Sequence, residues 1–405
     1  MSTARTCAAI TAARWASRLS RFAGAGQGTA VGGRLAGAID PTVLRQLTRN
    51  RRVVLVTGTN GKTTTTAMIA AALRAEHASV VTNGAGSNMP QGHICALAEK
   101  LDATSAVLEV DELYLAAVAD EVDPAAFVLL NLNRDQLHRA QETSRVADRL
   151  RAAVANHRGA TVIANADDPS IVACADGRKV EWFAAGWSWR ADSTSCPRCG
   201  GALHDRRGDW WCRCGLQRPL ADWWVSGGRL HHRRLEALPI RPALPGAVNL
   251  ANATAAVATA VSLGCQAETA IRAVCDLTDV AGRYSRVVIG GHPARLLLAK
   301  NPAGWAAGLE LLDASRPVVL VINARGPDGR DPSWLWDVAV EPLRGRPVLV
   351  SGDRAADLAT RLRYAEVEPH VYDSPRAAIA AAGTEPDVIA NYTAFEELRR
   401  AAGKR

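Results

Sequence analysis

The segment Val56-Thr-Gly-Thr-Asn-Gly-Lys-Thr-Thr-Thr-Thr66 holds the residue types and spacing of a phosphate-binding turn. Gly58 and Gly61 allow close backbone approach. Successive N–H groups through Thr59, Asn60, Gly61, Lys62, Thr63 and Thr64 face an anion, and the Lys62 ammonium adds a point charge. The Thr63 hydroxyl is placed to ligate Mg²⁺ beside that anion. Such loops usually carry a glycine five residues before the Gly-Lys pair; Val56 stands there, which marks a variant of the pattern.

A second constellation is made of sulfur. Cys196-Pro-Arg-Cys199-Gly-Gly and Trp211-Cys212-Arg-Cys214-Gly form two knuckles about a dozen residues apart, and four thiolates gathered this way complete a tetrahedral, closed zinc site. With no open coordination position the expected role is structural: the metal ties together a segment that has little core of its own. The second knuckle is Cys-x-Cys, shorter than the usual Cys-x-x-Cys, and His204 is a substitute ligand for one sulfur. Trp210, Trp211, Trp223 and Trp224 with neighbouring arginines suit either a small core or a stacking surface for nucleic acid.

These groups need elements to hold them. Arg52-Val-Val-Leu-Val56 predicts a buried parallel strand and Thr63 to Ala75 a helix, so the glycine turn lies at a strand-to-helix junction. From Arg51 to about Ser285, short Val/Ile/Leu runs alternate with Ala-rich helical stretches, as in Ser105-Ala-Val-Leu-Glu109, Ala126-Phe-Val-Leu-Leu-Asn131 and Ala160-Thr-Val-Ile-Ala-Asn165. Runs without period-two polarity fit strands covered on both faces. Ligands gather at the C-terminal ends of such strands, where Glu109, Asn131 and Asn165 fall. A change of texture between Trp187 and about Leu235 reads as an insertion, with the metal ribbon at about 190–222. The rhythm resumes at Ala294-Arg-Leu-Leu-Leu-Ala299, Pro317-Val-Val-Leu-Val-Ile322, Pro347-Val-Leu-Val350 and Asp387-Val-Ile-Ala390. The expected fold class is α/β. Its parts are a basic N-terminal segment (1–50), a central parallel-sheet domain (51–285) and a smaller Rossmann-like domain (286–405).

The 405 residues, 48% hydrophobic and 22% charged, suffice for two or three domains and exclude a chain disordered over a long span. A net charge of +8 suits nucleic acid, anionic lipid or a phosphorylated substrate alike. Residues 1–35 contain Arg5, Arg14, Arg18 and Arg21 but no apolar core of signal-peptide or membrane-spanning length, so a cytoplasmic location is expected. Arg14, Arg18 and Arg21 fall on one face of a possible helix, open to solvent or to the anionic inner face of a membrane. Nine cysteines, four of them clustered, point to a metal in a reducing compartment and not to a disulfide framework.

The variant loop resembles that of the Mur ligase superfamily, and further segments follow in the superfamily's order. Asn83-Gly-Ala-Gly-Ser-Asn88 is similar to a substrate-side loop, and in Glu109-Val-Asp-Glu112 the resemblance makes Glu109 a Mg²⁺ ligand, directly or through water. Asn131-Leu-Asn-Arg-Asp135-Gln136-Leu-His138 looks like the family's Asn-x-x-x-Asp-Gln-Leu-Asp segment. The metal-binding His of amino-acid-adding members falls at Ala140, which leaves a second metal open. Asn165-Ala-Asp-Asp168-Pro also fits. Asn249 and Asn252 resemble a helical pair near adenine, and Gly282-Arg283 an element whose Arg neutralises the transferring phosphoryl group. Toward the C-terminus, Leu298-Ala-Lys300-Asn301-Pro302, Asn323 to Asp337, Ser351-Gly-Asp353-Arg354, Arg361-Leu-Arg-Tyr364 and Asn391-Tyr392-Thr393-Ala394 resemble the MurT-type subunit of lipid II isoglutaminyl synthase.

The resemblance implies a Mur-ligase-like P-loop ATPase domain with ATP, Mg²⁺ and a structural Zn²⁺. It implies ATP-dependent amidation of the α-carboxyl of D-glutamate in the lipid II stem peptide, through an acyl phosphate. Ammonia then comes from a GatD-type class I glutaminase in a heterodimer, because Cys95, Cys174, Cys265 and Cys275 sit in apolar or Ala-rich settings unlike a nucleophile's. Asp331 and Asp337 are the candidates to orient the partner's catalytic His. Two other readings stand beside this one: a stand-alone Mur or folylpolyglutamate-type amino-acid ligase, and a zinc-ribbon nucleic-acid-binding ATPase. No helicase motif supports the last, and no nucleic-acid partner is expected.

Overall fold

The computed structural model describes residues 4–22, 29–84, 87–134, 143–186, 192–278, 280, 284–325 and 331–403. Asp135, Gln136, His138, Ala140, Gly282, Arg283 and Asp328 lie outside them. The chain divides into two compact units, Met1–Asn133 with Ala140–Thr278, and Arg134–Arg139 with Asp279–Arg405.

In the first unit the apolar runs become parallel strands. These are β1 (Arg52–Thr57), β2 (Val80–Thr82), β3 (Ser105–Glu109), β4 (Ala126–Leu129), β5 (Thr161–Asn165) and β6 (Val180–Ala184). Val53 to Val56 are fully buried because helices cover both faces of the sheet. β1 lies between β3 and β4, with Val56 opposite Glu109 and Thr57 opposite Leu129; Leu129 in turn pairs with Ala164 of β5. The C-terminal ends of four neighbouring strands therefore come level, which brings the glycine turn, Glu109, Asn131 and Asn165 to one edge of the sheet.

The N-terminal segment is helical and packed. α1 (Ala4–Phe22), α2 (Thr29–Ile39) and α3 (Val43–Thr48) bury Ala9, Ala13, Ala36, Val43, Leu44 and Leu47 in one core with Ile94 and Leu97 of a later helix, Pro90–Glu99. Arg14 is committed to that helix end: its guanidinium donates to the carbonyls of Ala98, at 2.6 Å, and Glu99. Numbered in chain order, the unit's further helices are α4 (Lys62–Ala75), α5 (Pro90–Glu99), α6 (Leu115–Val122), α7 (Thr143–Asn156), α8 (Pro169–Cys174), α9 (Ala247–Ser262) and α10 (Ala267–Cys275).

The expected insertion is shorter than its change of texture suggested. β7 (His204–Arg206) and β8 (Asp209–Trp211) form a separate hairpin, but β9 (Trp223–Ser226), β10 (Arg229–His232) and β11 (Leu235–Pro239) extend the main sheet to nine strands, β9 lying parallel to β6. Trp223 and Leu230 are buried while their strand neighbours are half-buried or exposed; the aromatic and glycine content masked these strands. Among the described residues no helix is long and apolar enough to cross a membrane.

The second unit is a six-stranded sheet in the order β12-β13-β17-β14-β15-β16. Its strands are β12 (Tyr284–Ile289), β13 (His292–Leu298), β14 (Val318–Val321), β15 (Val348–Ser351), β16 (Pro369–Val371) and β17 (Asp387–Ala390). β12 and β13 pair antiparallel and the remaining pairs are parallel. Neighbours on one strand point to opposite cores, Leu320 with Trp305 and Leu335, Val319 with Val388 and Phe395. The covering helices are α11 (Pro302–Glu310), α12 (Ala355–Tyr364), α13 (Pro375–Ala381) and α14 (Tyr392–Ala401).

Candidate active site

β1 ends at Thr57, and the chain turns through Gly58 (φ +139°) and Gly61 (φ +88°) before Lys62 opens α4. A Cβ at Gly58 would stand 2.9 Å from the backbone nitrogen of Asn131, and one at Gly61 would stand 2.4 Å from Asn252 Oδ1. Both positions need glycine for room as well as for φ. Gly61 is also the helix N-cap and, as glycine, supplies no capping side chain; a helix N-terminus is the end that attracts anions.

The turn is held by asparagine. Asn131 Oδ1 accepts from the Asn60 amide at 2.9 Å while its Nδ2 donates to the Asn60 carbonyl at 3.0 Å, a reciprocal clasp. The Thr59 amide donates to Asn131 O at 2.9 Å, and the Thr59 hydroxyl both accepts from Asn133 N and donates to Asn133 O. Asp168 locks the strand end that carries these residues. As N-cap of α8 its Oδ1 accepts from Ser170 N and Ile171 N, and its Oδ2 accepts from Leu132 N at 2.8 Å. Complete burial outweighs those amide donors and pushes the Asp168 carboxyl up to about 6.

Lys62 Nζ donates to the carbonyls of Gly58 and Thr59 and pairs with Glu112 Oε2 at 3.1 Å. Glu109 is gripped through its backbone: Asn83 Oδ1 accepts from its amide at 2.8 Å, Asn83 Nδ2 donates to its carbonyl at 2.8 Å, and His93 Nε2 lies 2.9 Å from the same carbonyl. Burial pushes His93 down to about 4, so its ring is neutral and Nε2–H is the donor. Among the described residues the buried Oε2 of Glu109 has no hydrogen-bond partner, which fits a carboxylate that a hard cation completes.

Thr63 and Thr64 are buried in the first turn of α4. Asn252 on α9 lies against the turn, its Oδ1 3.3 Å from the Thr65 hydroxyl, while Asn249 donates to Pro245 O and accepts from Asn252 Nδ2. Asn252 thus lies at the loop, and Asn249, one turn earlier on the same helix, is bonded to it. Arg283 lies outside the described residues.

The four cysteines meet. Their sulfur atoms lie within 4.8 Å of one another, with Cys196–Cys214 at 3.6 Å and Cys199–Cys212 at 3.5 Å. Zn–S bonds of about 2.3 Å set tetrahedral edges of about 3.8 Å, so the sulfurs fit a zinc ion. Both knuckles close with a left-handed glycine, Gly200 (φ +72°) and Gly215 (φ +89°). The Leu216 amide helps hold the Cys214 thiol down to about 7, while burial pushes Cys196 up to about 12. His204 is not in this group; as a β7 residue it stacks on Trp211, with ring centroids 5.5 Å apart. The segment is anchored to the β5 end by Arg218, whose Nη2 lies 2.8 Å from Asp167, and by Trp210, which donates to Ala166 O.

In the second unit, polar residues again gather at strand ends. Asn391 repeats the clasp on Asn323, accepting from its amide at 3.1 Å and donating to its carbonyl at 2.8 Å. Asp353 accepts from the Ala324 amide and pairs with Arg325, and these contacts hold its carboxyl below the usual range. Asp331 Oδ1 accepts from Ser333 N at the start of the 3₁₀ turn Ser333–Asp337; Asp337 at its end pairs with Arg134 at 3.4 Å. Both acids are exposed. Cys95, Cys174 and Cys265 are buried, and burial pushes the Cys174, Cys265 and Cys275 thiols up, as inert cysteines require.

Three residues near the loop have roles that sequence reasoning did not assign. Glu112 was legible only as the end of the Glu109-to-Glu112 stretch, Asp168 only as part of a segment that resembles the family's, and His93 carries no motif at all.

Comparison with known proteins follows the same division. The family model "Mur ligase middle domain" matches residues 56–260, and "MurT ligase C-terminal" matches residues 298–395. Over 390 residues the chain is 31% identical to "Lipid II isoglutaminyl synthase (glutamine-hydrolyzing) subunit MurT" of Staphylococcus aureus (strain N315), covering 90% of this chain and 89% of that protein. Identity to the protein of the same name from Streptococcus pneumoniae is 30%, covering 84% and 82%. The fold is similar to a solved structure of a pseudomurein peptide ligase type C from Methanothermus fervidus, with TM-score 0.70 at 18% identity, covering 89% of this chain and 80% of that one.

Proposed function

We propose a function from one premise: the chain belongs to the MurT family of Mur ligases. It is a ligase subunit, and its substrate is the α-carboxylate of D-glutamate in the lipid II stem peptide. The carboxylate attacks the γ-phosphorus of ATP and ADP leaves; ammonia then attacks the acyl phosphate and inorganic phosphate leaves, giving D-isoglutamine. A carboxylate has no adequate leaving group without this step, and the protein's share is positioning and charge neutralisation.

Lys62 and the amides of Gly58 to Thr64 hold the triphosphate, with Asn249 and Asn252 toward the nucleoside and Arg283 on the transferring phosphoryl group. Thr63 and Glu109 hold Mg²⁺, which supplies charge neutralisation when bound. Zn²⁺ at Cys196, Cys199, Cys212 and Cys214 closes a ribbon that serves structure alone. The ammonia source is a GatD-type glutaminase partner in a heterodimer, its catalytic His oriented by Asp331 or Asp337, working at the inner membrane face where lipid II resides.

The observation that carries this reading is the MurT C-terminal match over residues 298–395, joined to a phosphate loop whose lysine and glycines are in place. The test is mass spectrometry of lipid II with ATP, Mg²⁺ and ammonium, then with glutamine and the glutaminase. Replacement of OH by NH₂, dependent on ATP and lost in Lys62→Ala, is expected. Unchanged lipid II alongside ligation of an added amino acid to a soluble precursor would sink it.

A further inference from the structure

We propose that Glu112 is a place-holder for the terminal phosphate of the nucleotide and makes loading of the loop depend on a divalent cation; the inference rests on the ATP-binding reading above. The side chains of Lys62 and Glu112 are 5% and 15% exposed, and Lys62 Nζ lies 3.1 Å from Glu112 Oε2. An ammonium has three donors, and Gly58 O, Thr59 O and Glu112 Oε2 are three acceptors for them within the protein. The carboxylate gives Lys62 what a phosphate oxygen gives, an anionic acceptor at ion-pair distance. A triphosphate oxygen that takes the ion-pair position on Lys62 displaces Glu112 from it.

The carboxylate then stays mostly buried, has given up its ion pair with Lys62 and faces the negative charge of the phosphates, which is unfavourable. Glu109, whose buried Oε2 suits a cation, lies only three residues earlier on the same β3-to-α6 connection. A cation bound there offsets the charge of the released Glu112 as well as that of the nucleotide. Metal-free nucleotide meets the full repulsion, and the metal complex does not. Glu112 in this sense is a positioning residue that selects the metal-bound form.

The test is equilibrium binding of a fluorescent, non-hydrolysable ATP analogue to the full chain, in Mg²⁺ and in EDTA. The proteins are wild type, Glu112→Gln, Lys62→Ala and the double variant. Glu112→Gln should tighten metal-free binding about tenfold, the worth of one charged hydrogen bond that no longer has to be broken, and tighten metal-bound binding less. In the Lys62→Ala background the same substitution should do much less, since there is no pair to break. Equal tightening in both backgrounds would reduce Glu112 to simple through-space repulsion, and no tightening in EDTA would overturn the proposal outright. Wild type that binds no nucleotide would overturn the ATP reading together with it. Should Glu112→Gln not fold, Glu112→Asp, one methylene shorter, must show a partial gain for the proposal to stand.

Discussion

At the scale of single residues, the phosphate turn was readable because its chemistry demands particular types. Only glycine fits at Gly61, where φ is positive and Asn252 stands where a Cβ would go. Glu112 and Asp168 were not readable, because a carboxylate is common in turns and its partner is fixed by folding. Asp168 yields a prediction at this scale. Its carboxyl ionises near its ordinary value, 3.8, in the unfolded chain and at about 6 when folded. The folded state therefore holds the proton longer. This contribution to stability is full below about pH 4, falls as pH rises, and has gone above about pH 6, with a span of about 3 kcal/mol at most. Thermal melts of wild type against Asp168→Asn across this range should show the difference between them shifting against wild type as pH rises. A pH-independent difference would mean that the carboxyl ionises at its ordinary value in the folded protein as well.

At the scale of elements, parallel strands with continuous apolar runs were the most legible part, and their pairing explains why Glu109, Asn131 and the glycine turn share an edge. The strands after Trp223 were hidden by composition; their alternation is carried by Trp and His, which also signal a metal segment or a stacking surface. The metal proposed for the cysteine segment would matter to its fold for a physical reason. Its own apolar cluster is small, built from Trp210, Leu216, Cys196 and Cys212 against Val172 and Ala173. Chelation of zinc, or Cys212→Ser, should lower the melting temperature and red-shift tryptophan emission as Trp210 leaves the Ala166 carbonyl. Nucleotide affinity should stay within about twofold if the segment and the loop are energetically separate. A larger loss would show that the Arg218–Asp167 anchor carries strain from the ribbon to the strand end beside Asp168.

At the scale of the whole molecule, partner chemistry can be separated from synthetase chemistry by the nitrogen source. In the proposed heterodimer, one of Asp331→Asn and Asp337→Asn should lower glutamine-driven amidation by about 10³- to 10⁴-fold, the effect of losing the carboxylate that orients a catalytic His. Ammonium-driven amidation should be unaffected. If both variants retain glutamine-driven turnover, neither acid serves the partner. The reciprocal asparagine clasp has a consequence of another kind. It recurs in both units, Asn83 on Glu109, Asn131 on Asn60 and Asn391 on Asn323, each time needing one side-chain donor and one acceptor. Spontaneous loss of the amide nitrogen turns the donor into a second acceptor facing a carbonyl oxygen. Asn83 is followed by Gly84, the neighbour that least hinders attack of the next backbone nitrogen on the amide. Stored protein should lose nucleotide binding in step with release of ammonia at position 83, where the succinimide formed with Gly84 takes up water to give isoaspartate and aspartate.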